Sequence, residues 1–467
     1  MCPKRIAQLA LSCLALCSSV ALADDGTLAQ QRPDIQFFRW QEDWSYLADP
    51  ANRTEPGDDL KYIPLNSDDP FSYLSLGLTL RERYESKEDP TFGLVHEPNE
   101  DYLIHRLLVH LDAHLSESTR VFIQLNNELA PGLQDPGPVD ANRLDLGLAF
   151  IDFTGALGDG RYRVRFGRQE MAFDLQRFIS VRDGPNVRQA YDAIWGDYEL
   201  KNWRISGFAS QPVQDQNVSD FDDYSNHHLQ YDGTRIQTKD FLDSELSFTL
   251  SRYLNDYARF PSASGQEQRF IGDVHLAGKA NGVDWDVETM LQGGYVAEKR
   301  VEAWAAGGIV GYTYKDTTWQ PRVGLQADAA SGNRDPNGNK IETFNPLFPN
   351  GYYVTLSGYT GYTNFIHLKP SLTLTPEKDV TVLAAIGGLW RQTTHDAVYA
   401  QPDIPVPGTV GLPGRYTATY GELRVDWKID RAWAFAVEAD HYMASDALKS
   451  IGGKNSDYFG VEIRWGW

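Results

Sequence analysis

From Tyr73 to Trp467 the chain repeats one pattern, runs in which apolar and polar side chains alternate residue by residue. Successive side chains of a strand point to opposite faces, so each run carries one apolar and one polar face. In Tyr73–Glu85 the apolar face is Leu74, Leu76, Leu78 and Leu80, and Ser75, Gly77, Thr79, Arg81 and Arg83 lie opposite. In the final run Phe459, Val461, Ile463, Trp465 and Trp467 share a face against Gly460, Glu462, Arg464 and Gly466. A soluble sandwich also makes alternating strands, but it rarely ends on an exposed aromatic. Lipid on one side, water on the other and aromatics at the interface demand this pattern.

Eighteen strands are predicted, at 73–85, 102–115, 120–129, 143–154, 161–170, 190–199, 202–210, 228–238, 244–253, 268–277, 283–295, 300–314, 319–329, 362–374, 379–391, 415–428, 432–443 and 458–467. Short connections at 116–119, 155–160, 239–243, 315–318 and 429–431 alternate with mostly longer ones at 86–101, 130–142, 171–189, 211–227, 330–361, 392–414 and 444–457. The predicted fold is all-β: a single 18-stranded antiparallel transmembrane β-barrel with short periplasmic turns and long extracellular loops. Both termini are then periplasmic.

Parity assigns the faces. Leu107, Val109, Leu111, Ala113 and Leu115 face lipid while Arg106, His110, Asp112 and His114 face inward. Val121, Ile123 and Leu125 face out, with Gln124, Asn126 and Glu128 in; Tyr162, Val164 and Phe166 face out, with Arg163, Arg165 and Gln169 in. Later strands send inward Asp286, Glu288, Gln292, Arg322, Gln326, Asp328, His367, Lys369, Glu422, Arg424, Asp426, Glu438, Asp440, Glu462 and Arg464. An Arg or Lys facing lipid at the midplane costs about 2–4 kcal/mol, which repeated over many strands fixes this choice. Such a lumen is wet and wide enough to pass a hydrophilic solute.

The N-terminus reads as a secretory signal: basic Lys4 and Arg5, an apolar stretch Ile6–Val20, and a cleavage site after Ala21-Leu22-Ala23. The domain plan is therefore a cleaved signal at 1–23, an irregular segment at 24–72 and the barrel at 73–467. Phe37, Phe38, Trp40, Trp44 and Tyr46 are aromatic anchors of the middle segment, which lies in the periplasm or folds into the lumen. All 3 cysteines, Cys2, Cys13 and Cys17, fall in the signal, so no disulfide or thiolate metal site is expected. A formal net charge of −21 makes nucleic acid a poor partner. The expected partners are outer-membrane lipid, the barrel-assembly machinery through the C-terminal strand, and periplasmic secretion proteins.

Candidate chemistry is sparse. His110 and His114 are about 13 Å apart along one strand face, too far for one metal ion. No nucleophile elbow is present, so no catalytic residue and no cofactor is expected. The solute-contacting candidates are Arg81, Arg83, Arg106, Asp112, Glu128, Arg163, Arg165, Arg168, Asp183, Arg188, Arg322, Asp328, Lys369, Arg391, Arg424, Asp426, Glu462 and Arg464. The arginines either form a ladder for a carboxylated solute or simply pair with inward acids. Asp183-Gly-Pro-Asn-Val-Arg188 is either an inward-folded constriction or a self-satisfied turn. The 330–361 connection is long enough for a lid.

Several stretches resemble the alginate export family of outer-membrane barrels. They are Glu42-Asp-Trp-Ser-Tyr-Leu-Ala-Asp-Pro50, Leu60-Lys-Tyr-Ile-Pro-Leu65, the Tyr73–Glu85 strand, Arg165-Phe-Gly-Arg-Gln169 followed by Asp183–Asp192, and Thr343-Phe-Asn-Pro-Leu-Phe-Pro349. The resemblance implies an 18-stranded porin that passes its substrate passively, with polysaccharide secretion in the best-known member. It also implies pore-lining arginines that attract an anionic polyuronate, here matched by Arg163, Arg165, Arg168 and Arg188. The chain departs from that member at Gly147 and Leu148, which replace an Arg-Glu pair, and at Glu170, which replaces an arginine. A general or uptake porin for small organic acids is the alternative reading.

Overall fold

The computed structural model describes residues 28–95 and 98–467. The expected signal peptide at 1–23 lies outside the described residues.

Eighteen long antiparallel strands form the wall. They are β1 (Tyr73–Glu88), β2 (Glu100–Ser116), β3 (Thr119–Leu129), β4 (Asn142–Leu157), β5 (Gly160–Gln169), β6 (Tyr191–Leu200), β7 (Trp203–Gln214), β8 (Leu229–Phe241) and β9 (Ser244–Phe260). The second half comprises β10 (Ala263–Ala280), β11 (Val283–Val296), β12 (Lys299–Thr313), β13 (Arg322–Ala330), β14 (Phe365–Glu377), β15 (Val380–Arg391), β16 (Tyr416–Lys428), β17 (Trp433–Ala444) and β18 (Ser456–Gly466). Each pairs with its chain neighbours, and β18 closes on β1 from Thr79↔Gly466 to Glu88↔Asp457. Past that ladder, Leu78 and Trp467 exchange backbone bonds of 2.7 and 2.9 Å. Closure leaves the wall no open edge. No described helix is long and apolar enough to cross a membrane.

The observed faces follow the alternation. Val109, Ile123, Phe166, Ile194, Phe270, Leu291 and Ile386 are exposed on the outside. Arg81, Arg83, Arg106, Asp112, Gln124, Glu128 and Arg165 are buried inside. A polar pair interrupts the outer face: His105 Nδ1 and Glu82 Oε1 stand 2.6 Å apart.

Four details differ from expectation. β9 and β10 pair past 253 and 268, through Ala258↔Gly265, so only Pro261 and Ser262 connect them. That stretch is polar, and strand pairing needs no lipid contact to continue. β13 begins at Arg322 because Trp319 and Gln320 adopt φ of 64° and 42°, which lengthens the preceding turn. Trp467 lies beyond the ladder and turns toward the N-terminal segment instead of lipid. Its ring covers Gly57 (φ +89°), where a Cβ would stand 2.7 Å from Cζ2. Lys61 Nζ lies 4.4 Å from the same ring and 4.9 Å from that of Trp44. Arg168 faces outward, as described below.

The core sits in the lumen. One apolar cluster joins wall residues such as Tyr191, Phe208 and Tyr231 to loop residues Phe173, Phe178, Phe344 and Phe348. A second joins Phe38 and Trp40 to Phe122 and Phe150 of β3 and β4. Residues Phe37–Trp40 are thus folded into the lumen, while Glu55 and Gly57 further along the segment meet Arg431 and Trp467 at the strand ends. Arg39 fixes this stretch to the β1–β18 seam, donating to Leu78 O at 2.5 Å and to Trp467 O at 2.8 Å.

Candidate functional site

The connection from β5 to β6, residues 170–190, enters the lumen and crosses it. On the far wall Arg177 donates to Glu288 of β11 at 2.5 Å and to Tyr353 OH at 2.7 Å. Asp174 accepts from Arg235 of β8 at 2.8 Å. The segment then returns to the first strands, where Asp183-Gly-Pro-Asn186 meets a cluster of arginines. Arg81 donates to Asp183 O at 2.7 Å and Pro185 O at 2.9 Å. Arg83 donates to Gly184 O at 2.5 Å, and Arg106 to Asn186 O at 2.6 Å and Pro185 O at 2.8 Å. The Asp183 carboxylate accepts from Arg106 (2.5 Å), Arg188 (2.7 Å) and Arg464 (2.9 Å). Burial alone would raise its pKa, but Arg188, Arg464, Arg106 and Arg81 together hold it well below the usual carboxylate range. Asn186 donates to His105 O, Leu129 O and Asp140 O at 3.0–3.1 Å. The segment is an inward constriction whose carbonyls are satisfied by the wall.

The connection from β13 to β14, residues 331–364, packs on this constriction. Ser180 N donates to Phe348 O and Phe348 N to Phe178 O, both at 3.0 Å. A Cβ on Gly184 would meet the Tyr352 ring at 2.6 Å, so the two loops touch where only glycine fits. The Asn345 amide and Glu267 are 3.2 Å apart, and Asn345 N donates to Gln292 at 3.1 Å, which anchors the 343–349 motif to β10 and β11. From the N-terminal segment, Phe37 lies 4.2 Å under the Arg188 guanidinium. Three chain segments therefore meet in the lumen. Between Phe37, Tyr352, Leu356 and the β16–β18 wall a cavity of about 50 Å³ remains, lined also by Arg83, Asp183, Arg424, Glu438, Glu462 and Arg464.

The candidates read from sequence fall into groups. Arg81, Arg83, Arg106, Arg188, Glu462 and Arg464 surround Asp183, and Arg83 also meets Glu85 at 2.7 Å and Glu462 at 3.2 Å. Asp112 is bound by Arg120 at 2.6 Å. Arg163 pairs with Asp197 at 3.1 Å, and Arg165 with Asp152 at 2.6 Å. The Arg165 guanidinium lies 4.2 and 3.7 Å from the rings of Trp40 and Phe150. Arg322 meets Asp284 at 2.9 Å, Lys369 pairs with Glu422, and Arg424 lies between Asp426 (2.7 Å) and Glu438 (2.8 Å). Asp328 accepts from Tyr353 OH at 2.8 Å and contacts His367 at 3.0 Å. Arg391 holds the following loop through Thr409 O and Gly414 O, both at 2.6 Å. Glu128 is fully buried, and its Oε2 has no partner.

Arg168 is a correction to the lumenal set. It shares outward parity with Phe166 and is in register with Asp192, which it binds at 3.0 Å on the outer side of the wall. Parity after Phe166 already directs it there. Parity applied to β8 and β10 would likewise have exposed Arg235, Glu267, Arg269, Asp273 and His275, which face inward beside Ile236, Phe270 and Val274. Arg177 and Asp174 carried no such signal, because a loop has no period.

A closed barrel with an apolar exterior, an ion-paired lumen and inward loops defines a porin-like transmembrane barrel. The model of the family described as alginate export matches residues 72–462, and the chain belongs to that family. No curated protein sequence matches the chain. Among solved structures, Acinetobacter baumannii OccAB1 is similar at a TM-score of 0.56 and 12% identity, over 88% of this chain and 99% of that one. Pseudomonas aeruginosa OccK2 (OpdF) gives 0.56 and 7% identity over 84% and 97%, and OccK11 (OpdR) gives 0.52 and 11% over 84% and 95%. These likenesses concern the fold.

Proposed function

We propose that this protein is a passive outer-membrane channel for hydrophilic, anionic solutes, with the long loops outward and both termini periplasmic. The carrying observation is the cavity beside β16–β18. It lies where the constriction, the 331–364 loop and the N-terminal segment converge, and it presents Arg83, Arg424 and Arg464. The Arg464 and Arg424 side chains keep 32% and 18% exposure, against 1% and 2% for Arg81 and Arg83. A carboxylated solute entering there would exchange one carboxylate partner of these arginines for its own. The family description, alginate export, supports an anionic polysaccharide as cargo. The narrowness of the cavity favours a second reading, a small organic acid taken up singly. In either case a wider passage requires the inward segments to shift, and the C-terminal strand serves recognition by the assembly machinery.

The test is the reversal potential of the refolded protein in a planar bilayer under a salt gradient, with polyuronate or a monomeric uronate added. Anion preference with block by the polymer supports polysaccharide passage. Anion preference with block by the monomer alone supports small-acid uptake. Cation preference with neither block would overturn the reading.

A further inference from the structure

The long-loop mouth of the barrel holds a group of carboxylates that the passage does not use. The connection from β7 to β8, residues 215–228, carries Asp222 and Asp223 against Asp145 of β4. One carboxylate oxygen from each of the three lies within 4.8 Å of the others. Their neighbours orient these carboxylates without neutralising them. Asp222 Oδ2 accepts from Ser219 N at 2.7 Å, Asp223 Oδ1 from Gln216 N at 2.8 Å, and Asp145 Oδ2 from Asp223 N at 3.1 Å. Arg168, whose charge reaches this group, is itself bound to Asp192 at 3.0 Å.

A second observation comes from the wall. Asn142 of β4 is 2% exposed and reaches into the group, its Nδ2 donating to Asp223 Oδ2 at 2.7 Å. Its Oδ1 is buried without a partner. Asn142 is in register with Glu128 of β3, whose Oε2 is also buried without a partner, as is Asp222 Oδ1. All three orphans are acceptors. A buried set of acceptors with no donor is costly unless a cation serves it. The oxygen-only donor set excludes a soft metal. A set of carboxylate and amide oxygens gathered from a loop and a strand suits calcium, which accepts about six to eight oxygens in variable geometry, better than magnesium, which demands a near-ideal octahedron.

We propose that Asp145, Asp222 and Asp223, with Asn142 Oδ1, bind a calcium-class divalent cation that ties the 215–228 loop to β4 at the outer mouth. The site is independent of the solute reading, since these residues lie outside the Asp183 cluster.

Calcium titration of the full barrel in detergent at neutral pH, followed by calorimetry and by hydrogen exchange of the 215–228 backbone, tests the proposal. The wild type is expected to take up one calcium ion with Kd of about 10⁻⁴–10⁻³ M or tighter, and the loop to gain protection, with magnesium weaker. Asp222→Asn and Asp145→Asn should each weaken binding at least about tenfold while the barrel keeps its heat-modifiable gel mobility. No uptake by the wild type at about 10 mM calcium would overturn the proposal. So would unchanged affinity in both folded variants, which would place the ion elsewhere.

Discussion

Arg106 of β2 donates to the Asp183 carboxylate at 2.5 Å, joining the wall to the tip of a loop 77 residues later in the chain. Both are 2% exposed, so the pair is desolvated and neither member can fall back on water. Arg188 and Arg464 donate to the same carboxylate, and the loop carbonyls occupy Arg81 and Arg83. Arg81, Arg83, Arg106 and Arg188, which read as part of a solute ladder in the sequence, hold a constriction in place.

Asp183→Asn should therefore release the constriction. Removing one partner of a buried pair costs about 3–5 kcal/mol locally. The expected result is a larger and noisier single-channel conductance with the barrel still assembled. Unchanged conductance and unchanged loop proteolysis would contradict this placement.

Trp40 packs beside Phe38 and against Phe150, with Arg165 over its ring. Trp40→Ala should loosen the N-terminal segment by about 3–5 kcal/mol, the usual cost of truncating a buried Trp. Accessibility of a cysteine placed at Gln36 to a periplasmic-side thiol reagent should rise, along with conductance. Equal labelling in both backgrounds would show that the segment is not held by this contact.

Val109 is exposed on the outer face near the middle of β2. Val109→Arg should destabilise the inserted barrel by about 2–4 kcal/mol in urea titrations of bilayer-refolded protein. Gln124→Arg, facing the lumen in register with His110, should insert normally. Equal insertion defects would reverse the assignment of faces.

Asp223 gives a pH dependence. Its pKa is raised by burial to about 6, above its ordinary carboxylate value. The docked loop then binds more protons than the undocked loop between about pH 4 and 6. Without a divalent cation, docking is favoured below about pH 4 and weakens as pH rises through about 6. Hydrogen exchange of residues 215–228 in chelator should thus speed up from about pH 4 to 7 beyond its intrinsic rise, and calcium should slow it at about pH 7 but not at about pH 4.

The number of strands, their order and the facing of Arg81, Arg106, Asp112, Glu128, Arg165, Arg322 and Arg464 were legible in the sequence. Facing is a local property: alternation sets it, and lipid penalises a charge on the wrong side at each strand separately. The same parity, followed one step past Phe166, places Arg168 outside. Where the charges lead was decided only in three dimensions. Arg81 meets Asp183 across 102 residues, and Arg177 meets Glu288 across 111. Neither partner is marked by a period, because both loop residues sit in irregular chain. The position of Trp40 in the lumen and of Trp467 over Gly57 likewise depends on which surfaces closure of the barrel brings together. Sequence determined a wet, charged tube because alternation is short-range. The tertiary structure filled it, because lumenal packing and ion pairing are contacts between segments that only the closed wall makes neighbours.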